Sequence, residues 1–494
     1  MIKITNKVDC HCDVLIVGAG PGGSALATYL ARDNIKVILI DSQSFPRDKV
    51  CGDFVGPVAL AELQKLGIAG LDEYPKTNLI NRAALYLDGQ EIINQSIPRI
   101  EGIPFYGRVI PRIILDDWIF KKAINSGVQT YENVRLKNYE IDQNMVRAEV
   151  LEKGKTKIIT AKLIIGADGS SSTVARIYHG VKPSATDKIL AVRAYYKHIN
   201  GPQDQCDLFF TKDSFPGYYW LFPTGNGKAN IGVGMVLETL PKNETHLNEL
   251  LNTLINKDKS LSARIGNGQA VGKIAGWPLS TYNPKNKIIG NRLMLIGDAA
   301  GLINSLNGEG IQYTLLSARW AADTIRQCAK HGAYHKEALK SYDDVIEEKL
   351  RYDLALSNMI IQFIRNRTLN PLWMELLRIL VARAKVDDKY AAIAGGILAG
   401  LQPANKAISP QFIMSTLVQC MLHIGMGSTA QLMKGPTNWI AQLGRSSNYA
   451  QHVLRDIQRH PKGYVNWVSG IASNGIEISS HIIKDVKNQF IKSS

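Results

Sequence analysis

Gly18, Gly20 and Gly23 stand in the run Val14-Leu-Ile-Val-Gly-Ala-Gly-Pro-Gly-Gly23, between an apolar strand-like stretch and a helical one. Each glycine at this spacing serves a different purpose. The first permits a tight turn, the second lets the backbone approach a pyrophosphate, and the third lets helix and strand pack closely. The N-terminus of the helix then presents unpaired N–H groups to phosphate oxygens. Asp41 closes the next apolar run, Val37-Ile-Leu-Ile-Asp41, 18 residues past Gly23. A carboxylate there is placed to accept hydrogen bonds from an adenosine ribose. Glycine-rich turns are common, but here strand, helix and acid occur together. The chemistry they imply is binding of an adenine dinucleotide.

A second signature lies at Gly297-Asp-Ala-Ala-Gly301, followed by Asn307-Gly-Glu-Gly-Ile311. A strand ending in Gly297-Asp298 sets a carboxylate where it can hold the hydroxyls of a ribityl chain. The glycines that follow let backbone pass close to a ring system. The helix starting at Gly310 and Ile311 aims its positive end at that ring. A reduced flavin carries negative charge at its N1–C2=O edge, which such a helix end stabilises. The two signatures together point to FAD rather than NAD. A third piece, Gly166-Ala-Asp-Gly-Ser170, is an Asp-Gly turn after an apolar run and by itself reads as a simple turn.

In this order the three pieces resemble the FAD-dependent superfamily of p-hydroxybenzoate hydroxylase, which contains monooxygenases, flavin halogenases and prenyl-chain reductases. The resemblance implies cofactor contacts for Asp168 and for Arg112, which opens a helix after Pro111. Two stretches are similar to geranylgeranyl reductases in particular. Lys49-Val-Cys-Gly-Asp53 resembles their Lys-x-Cys-Gly segment, whose cysteine lies near the flavin ring, making Cys51 the candidate catalytic residue. Lys49 could lower the pKa of that thiol and Asp53 could raise it. Tyr218-Tyr-Trp-Leu-Phe-Pro223, eight residues, then Gly232-Val-Gly234 resembles their substrate motif and makes Tyr218, Trp220 and Phe222 candidate substrate contacts. Strand alternation alone puts these three on one face. A stripe of aromatics suits a long apolar substrate. The resemblance runs from about Asp13 to about Pro403. Ser305 stands where the family usually has Pro, and Thr314 where it usually has Ala.

These sites need elements to carry them. A helix is predicted over Val58–Leu66, strands within Arg82–Pro98, and an amphipathic helix over Arg112–Gly127 closed by glycine. Val128–Ile159 reads as an antiparallel meander and Leu163–Ile165 as a further buried strand. Residues 190–236, rich in aromatic and β-branched residues, read as the sheet of a second domain. A strand at Arg292–Gly297 and a helix from Gly310 to Ala329 follow, and the rest is helical. The expected fold is α/β: a Rossmann-like FAD-binding domain in three parts (11–80, 105–180, 285–330). A sheet-rich substrate domain (81–104, 181–284) is inserted into it, and a helical C-terminal region spans 331–494.

The 494 residues exceed what one core holds. A net charge of +15 favours anionic partners, but the basic residues are scattered and no nucleic-acid motif occurs, so nucleic acid is discounted. Six widely spaced cysteines suit a reducing compartment; Cys10 and Cys12 lack a second pair for a metal site, and no metal is expected. The N-terminus lacks the apolar core of a signal peptide. Residues 407–433 contain no Asp, Glu, Lys or Arg, yet polar residues interrupt them too often for a membrane span. Pro371–Lys385 combines apolar bulk with Arg378, Arg383 and Lys385, the pattern of a helix resting on an anionic interface. Packing on the FAD domain is the competing reading. The expectation is a cytoplasmic protein, with peripheral membrane contact as the alternative.

The favoured function is reduction of C=C bonds in an isoprenoid chain, with hydride from reduced flavin and a proton from a nearby acid. A monooxygenase of the same fold is the alternative. A halogenase fits less well, because Tyr218 and Phe222 replace the Trp and Ile of its Trp-x-Trp-x-Ile-Pro motif. A non-enzymatic flavin-bound scaffold rests only on the unassigned tail. No second glycine fingerprint exists, which argues against a dedicated nicotinamide domain, and the family resemblance implies NADPH bound transiently, or a small donor protein, as the electron source.

Overall fold

The second half of strand β1 (Cys10–Val17), Val14 to Val17, is apolar and buried because it lies at the centre of a sheet covered on its faces. It pairs in parallel with β2 (Val37–Ile40) on one side and with β11 (Lys155–Gly166) on the other. The computed structural model describes residues 9–180, 187–240, 246–398, 448–449 and 451–493. The sheet runs β17 (Ile289–Gly290), β18 (Leu293–Leu295), β11, β1, β2, β8 (Gln129–Tyr131). Helix α1 (Pro21–Arg32), the helix of the glycine fingerprint, packs against α3 (Arg112–Asn125) and α7 (Ile311–His331). Leu15, Ile16, Leu26, Leu30, Ile38 and Leu39 are wholly buried in this core.

Two expectations change here. The stretch from Val128 is not all antiparallel, since β8 pairs in parallel with β2 as an edge of the central sheet. Only β9 (Val134–Ile141), β10 (Val146–Glu152) and the first half of β11 form the meander. Leu163–Ile165 is also no separate strand. It is the second half of β11, which pairs with β10 early and with β1 along most of its length. Charges at the exposed positions of Lys155–Lys162 hide that continuity in the sequence.

A three-stranded sheet of β3 (Phe54–Val55), β7 (Gly107–Val109) and β4 (Asn78–Ile80) leads to a second large sheet. That sheet draws β5 (Arg82–Leu87) and β6 (Gln90–Ser96) from one stretch of chain. Its other strands are β12 (Lys188–Lys197), β13 (Gln205–Phe210), β14 (Tyr218–Gly225), β15 (Lys228–Val236) and β16 (Gln269–Ser280). The order is β16-β12-β15-β14-β13-β5-β6, and only β5–β13 is parallel. Tyr219 and Leu221 pack with Phe209 and with Leu250 and Leu254 of α5 (Leu247–Lys257) on one face. Tyr218, Trp220 and Phe222 take the other.

Helix α2 (Pro57–Leu66) packs on α7, α4 (Thr173–His179) on β9 and β11, and α6 (Lys259–Ile265) follows α5. After α7 come α8 (Lys340–Ile346), a π-helical turn, and α9 (Tyr352–Ile364). Helices α10 (Asn370–Ala384), α11 (Asp388–Leu398) and α12 (Pro461–Ser493) follow, with helical residues at 451–459 before α12 and with α12 packed on α9. Residues 407–433 lie outside the described residues. No helix among those described is long and apolar enough to cross a membrane. The basic face expected on Pro371–Lys385 is largely neutralised within the fold. Arg378 bonds Asp88 (3.1 Å) and Glu375 (3.2 Å), and Arg383 lies 3.9 Å from the Tyr390 ring centroid and 3.6 Å from Asp387.

Candidate active site

The three fingerprint glycines meet different surroundings. Gly18 has φ +100°, and a Cβ there would collide with the Ala167 carbonyl. At Gly23 a Cβ would collide with the Gly18 carbonyl, so this residue sets the approach of α1 to β1. Gly20 is uncrowded, the one near neighbour of its Cβ position among the described residues being Arg47 Nη2 at an ordinary contact distance of 3.5 Å. That open backbone, with uncapped α1 behind it, is a cradle that fits a pyrophosphate. Asp41 accepts N–H bonds from Ala19 (2.8 Å) and Gln43 (2.9 Å), tying the turn to the end of β2.

Asp298 sits in the tight turn after β18. Lys49 Nζ lies 3.1 Å from it and the Ser170 hydroxyl 3.4 Å. Burial works against its charge, and the Lys49 ammonium, with help from Arg112 and the Ser170 hydroxyl, more than offsets this, holding its pKa below the ordinary carboxylate value. A Cβ on Gly310 would stand 3.2 Å from Asp298 Oδ1, so the start of α7 passes close over the turn. Arg112 forms a two-pronged bond to Asp116 one turn along α3 (2.6 and 2.8 Å). The Asp168 carboxylate accepts from the Ser172 hydroxyl and from the Thr173 and Val174 N–H groups, capping α4.

The Asp48–Asp53 loop is clamped between the two large sheets. Asp48 pairs with Arg193 of β12 (2.5 Å), and Lys49 is drawn to Asp298 rather than to Cys51. The Cys51 carbonyl accepts from Asn230 Nδ2 (2.7 Å) on β15. Asp53, wholly buried at φ +65°, accepts from Asn230 (2.8 Å), the Tyr195 hydroxyl (2.6 Å) and the Arg112 N–H (3.2 Å). Burial raises its pKa to about 6 against those bonds. Its own N–H donates to Cys51 Sγ (3.4 Å). Burial likewise pushes the Cys51 thiol up, with Arg112 acting the other way.

Register explains the aromatic motif. Trp220 lies across from Gly232 and Tyr218 across from Gly234. A Cβ at Gly232 would overlap the Trp220 indole, so glycine is what lets that ring lie flat on β15. The indole N–H donates to Asn230 Oδ1 (3.0 Å), the same amide that holds the Cys51 loop. The Phe222 ring edge comes within 3.0 Å of the Cβ position of Gly52. The aromatic stripe is thus the floor on which Cys51-Gly52-Asp53 rests.

One cavity of about 1620 Å³ joins these parts. Of the residues expected at the site, Gly18, Gly20, Asp41, Arg112, Asp168, Gly297, Asp298, Gly310 and Ile311 line it, as do Cys51, Tyr218, Trp220 and Phe222. Gly23 alone stands behind the wall. Sequence reasoning assigned no site role to Asn230, Tyr195 or Glu309. Glu309 was visible as a lone acid within a glycine turn, whereas Asn230 and Tyr195 carry no local signal.

Residues 11–344 match the family of FAD binding domains. The chain is 33% identical over 325 residues to a protein named menaquinone reductase from Mycolicibacterium smegmatis, covering 64% of this chain and 77% of that one. It is 26% identical over 398 residues to digeranylgeranylglycerophospholipid reductase 2 of Methanopyrus kandleri, covering 78% and 96%. The fold is shared with a geranylgeranyl bacteriochlorophyll reductase-like protein from Thermoplasma acidophilum, with TM-score 0.62 at 23% identity over 83% of this chain and 96% of that one. The fold and site define an FAD-dependent oxidoreductase. Within that class the chain belongs to the geranylgeranyl reductase family.

Proposed function

We propose that this enzyme saturates C=C bonds of an isoprenoid chain. The observation that carries the reading is the continuity of the cavity. From Cys51 and the aromatic stripe it runs on between Leu85, Ile93 and Leu208 of the second sheet and Leu377, Leu380 and Ala391 of α10 and α11. A long apolar lining of this kind binds through buried area, which suits a prenyl chain better than a compact polar substrate. The names of the two relatives, one for menaquinone and one for a geranylgeranyl lipid, support the same substrate class.

Gly18, Gly20, Asp41 and Arg112 would hold the adenosine and pyrophosphate side of FAD, and Asp168, Gly297, Asp298, Gly310 and Ile311 the flavin side. Bound there in its reduced form, the flavin supplies hydride. The protein orders the alkene against Tyr218, Trp220 and Phe222 and excludes water with the same rings. Division into an FAD-binding domain and an inserted substrate domain belongs to this reading, as does electron supply from NADPH or a small donor protein. Peripheral membrane contact is part of it too. It rests on Leu372 (52% exposed), Leu376 and Val386 (83% exposed) beside the α10 wall of the cavity rather than on charge.

The test is anaerobic reduction of the purified flavoprotein followed by challenge with geranylgeranyl diphosphate, a prenylated quinone or oxygen. Reoxidation by a prenyl acceptor with loss of a double bond supports the reductase. Reoxidation by oxygen alone, with hydroxylated product, favours a monooxygenase.

A further inference from the structure

Glu309 is the acidic residue in the glycine-rich turn Asn307–Ile311 that precedes α7, and it lines the cavity. Its backbone is fixed at both ends. The N–H donates to Asn307 Oδ1 (2.9 Å), and the carbonyl accepts from the Asn304 N–H (3.0 Å). Gly56 leaves room for the carboxyl: a Cβ there would stand 3.5 Å from Glu309 Oε1 and 3.6 Å from the Phe54 ring edge. Tyr218 of β14 donates its hydroxyl to the Asn307 carbonyl, beside the same turn. Ionisation of Glu309 or of Cys51 would oppose that of Tyr218, and ionisation of Glu309 that of Tyr313 of α7, as groups lying near one another on the same wall do. Three proton-bearing groups, Cys51, Tyr218 and Glu309, therefore gather on one stretch of cavity wall.

They differ in acidity. Burial alone pushes the Glu309 carboxyl up to about 8, with no charged neighbour offsetting it. Glu309 thus holds its proton at neutral pH yet gives it up far more readily than Tyr218 or Cys51, both of which burial raises above their already higher ordinary values. A donor with pKa near the operating pH is the effective one.

Resting on the reductase reading above, we propose that Glu309 is the proton donor that completes saturation of the alkene. When hydride has been added to one carbon of the double bond, the neighbouring carbon requires a proton. The Glu309 O–H bond breaks, its electron pair stays on the carboxylate, and a C–H bond forms at that carbon. The two electrons that reduce the alkene arrive with the hydride from reduced flavin, which is oxidised. Water reprotonates the carboxylate after product leaves. Cys51 then shapes the site rather than donating the proton.

The experiment mixes anaerobically reduced holoenzyme with geranylgeranyl diphosphate and follows flavin reoxidation across pH. Glu309→Gln should hold as much FAD as wild type and reoxidise about 100-fold or more slowly, the scale of general acid catalysis. Glu309→Asp should recover part of the rate. The wild-type rate should fall as pH passes about 8, and the Glu309→Gln rate should not. Infrared spectra of oxidised holoenzyme should show a protonated carboxylic acid band at neutral pH that vanishes above about 8 and is missing from Glu309→Gln. A wild-type rate for Glu309→Gln, or no such band, overturns the role of Glu309 alone. A wild type that cannot pass electrons to the prenyl probe overturns the reductase reading and the donor role with it.

Discussion

Lys49 Nζ stands 3.1 Å from Asp298 Oδ2, an ion pair joining residues 249 positions apart. It fastens the Cys51 loop to the turn proposed to hold the ribityl chain, so these two parts of the cavity wall hold each other in place. Lys49→Met should weaken FAD binding by roughly 10- to 100-fold, since hydrogen bonds to charged groups contribute about 1.5–3 kcal/mol. Asp298→Ala removes the anchor itself, and Gly20→Val fills the open cradle beside Arg47. The ratio of flavin to protein absorbance after gel filtration reads all three. Full flavin in both Gly20→Val and Asp298→Ala would mean that these sites are misassigned.

At Gly232 a single methyl group decides the outcome. The Trp220 indole occupies the space its Cβ would need, and the Val192 carbonyl closes the other side. Gly232→Ala should destabilise the second sheet by ~1–3 kcal/mol, as overpacking does. Thermal unfolding should show the loss, whereas Gly272→Ala, with nothing near its Cβ position, should cost only the strain of its positive φ.

How much of the fold and site is legible in the sequence follows from the distance over which each signal acts. The glycine fingerprint and the Gly297–Ile311 turn are local, because glycine spacing within a few residues states the backbone geometry. The aromatic motif is legible as a pattern, but its physical reason, Trp220 lying on Gly232, exists only once β14 and β15 are in register. Asn230 and Tyr195 are not legible at all. Each is an ordinary strand residue until folding brings it to Asp53, 177 and 142 positions away. The pairing of Lys49 with Asp298 likewise depends on a contact that no local pattern encodes.

Cys51→Ala should retain FAD and lose turnover with a prenyl acceptor, by up to ~10²-fold, the effect of misplacing groups next to the chemistry. Its sulfur accepts the Asp53 N–H and so helps hold the left-handed backbone of that residue. A serine oxygen can accept the same bond, and Cys51→Ser should keep more activity. Equal, wild-type rates in both would reduce Cys51 to packing.

Glu309 also makes the flavin-free protein sensitive to pH. Its folded pKa, about 8, lies above the ordinary 4.5, so the native state binds the proton more tightly than the unfolded chain. The stabilisation is complete below about 4.5 and lost as pH rises through about 8. Apo wild type should therefore lose roughly a few degrees of Tm relative to Glu309→Gln across that window. Parallel Tm curves for the two proteins would show that Glu309 ionises normally.

Membrane contact through Leu372, Leu376 and Val386 should depend weakly on salt, because Arg378 and Arg383 already have partners in the fold. Flotation with anionic and with neutral liposomes tests this. Protein left at the bottom with both lipids removes the membrane from the account. Flotation abolished by salt would assign it to charge instead.

The central sheet also dictates an order of events during synthesis. β1 and β2 are made first, but β11 is completed only at Gly166, and β18, which pairs beside it, ends at Leu295. The second sheet is woven between these arrivals through the parallel pair β5–β13. A nascent chain therefore carries its dinucleotide fingerprint for most of its time on the ribosome without the turn that would retain a flavin. Contacts of such long range form slowly and leave apolar strands open in the interval. Flavin retention then waits for the Gly297 turn to be made, and fragments ending before Gly297 should emerge colourless and dependent on chaperones.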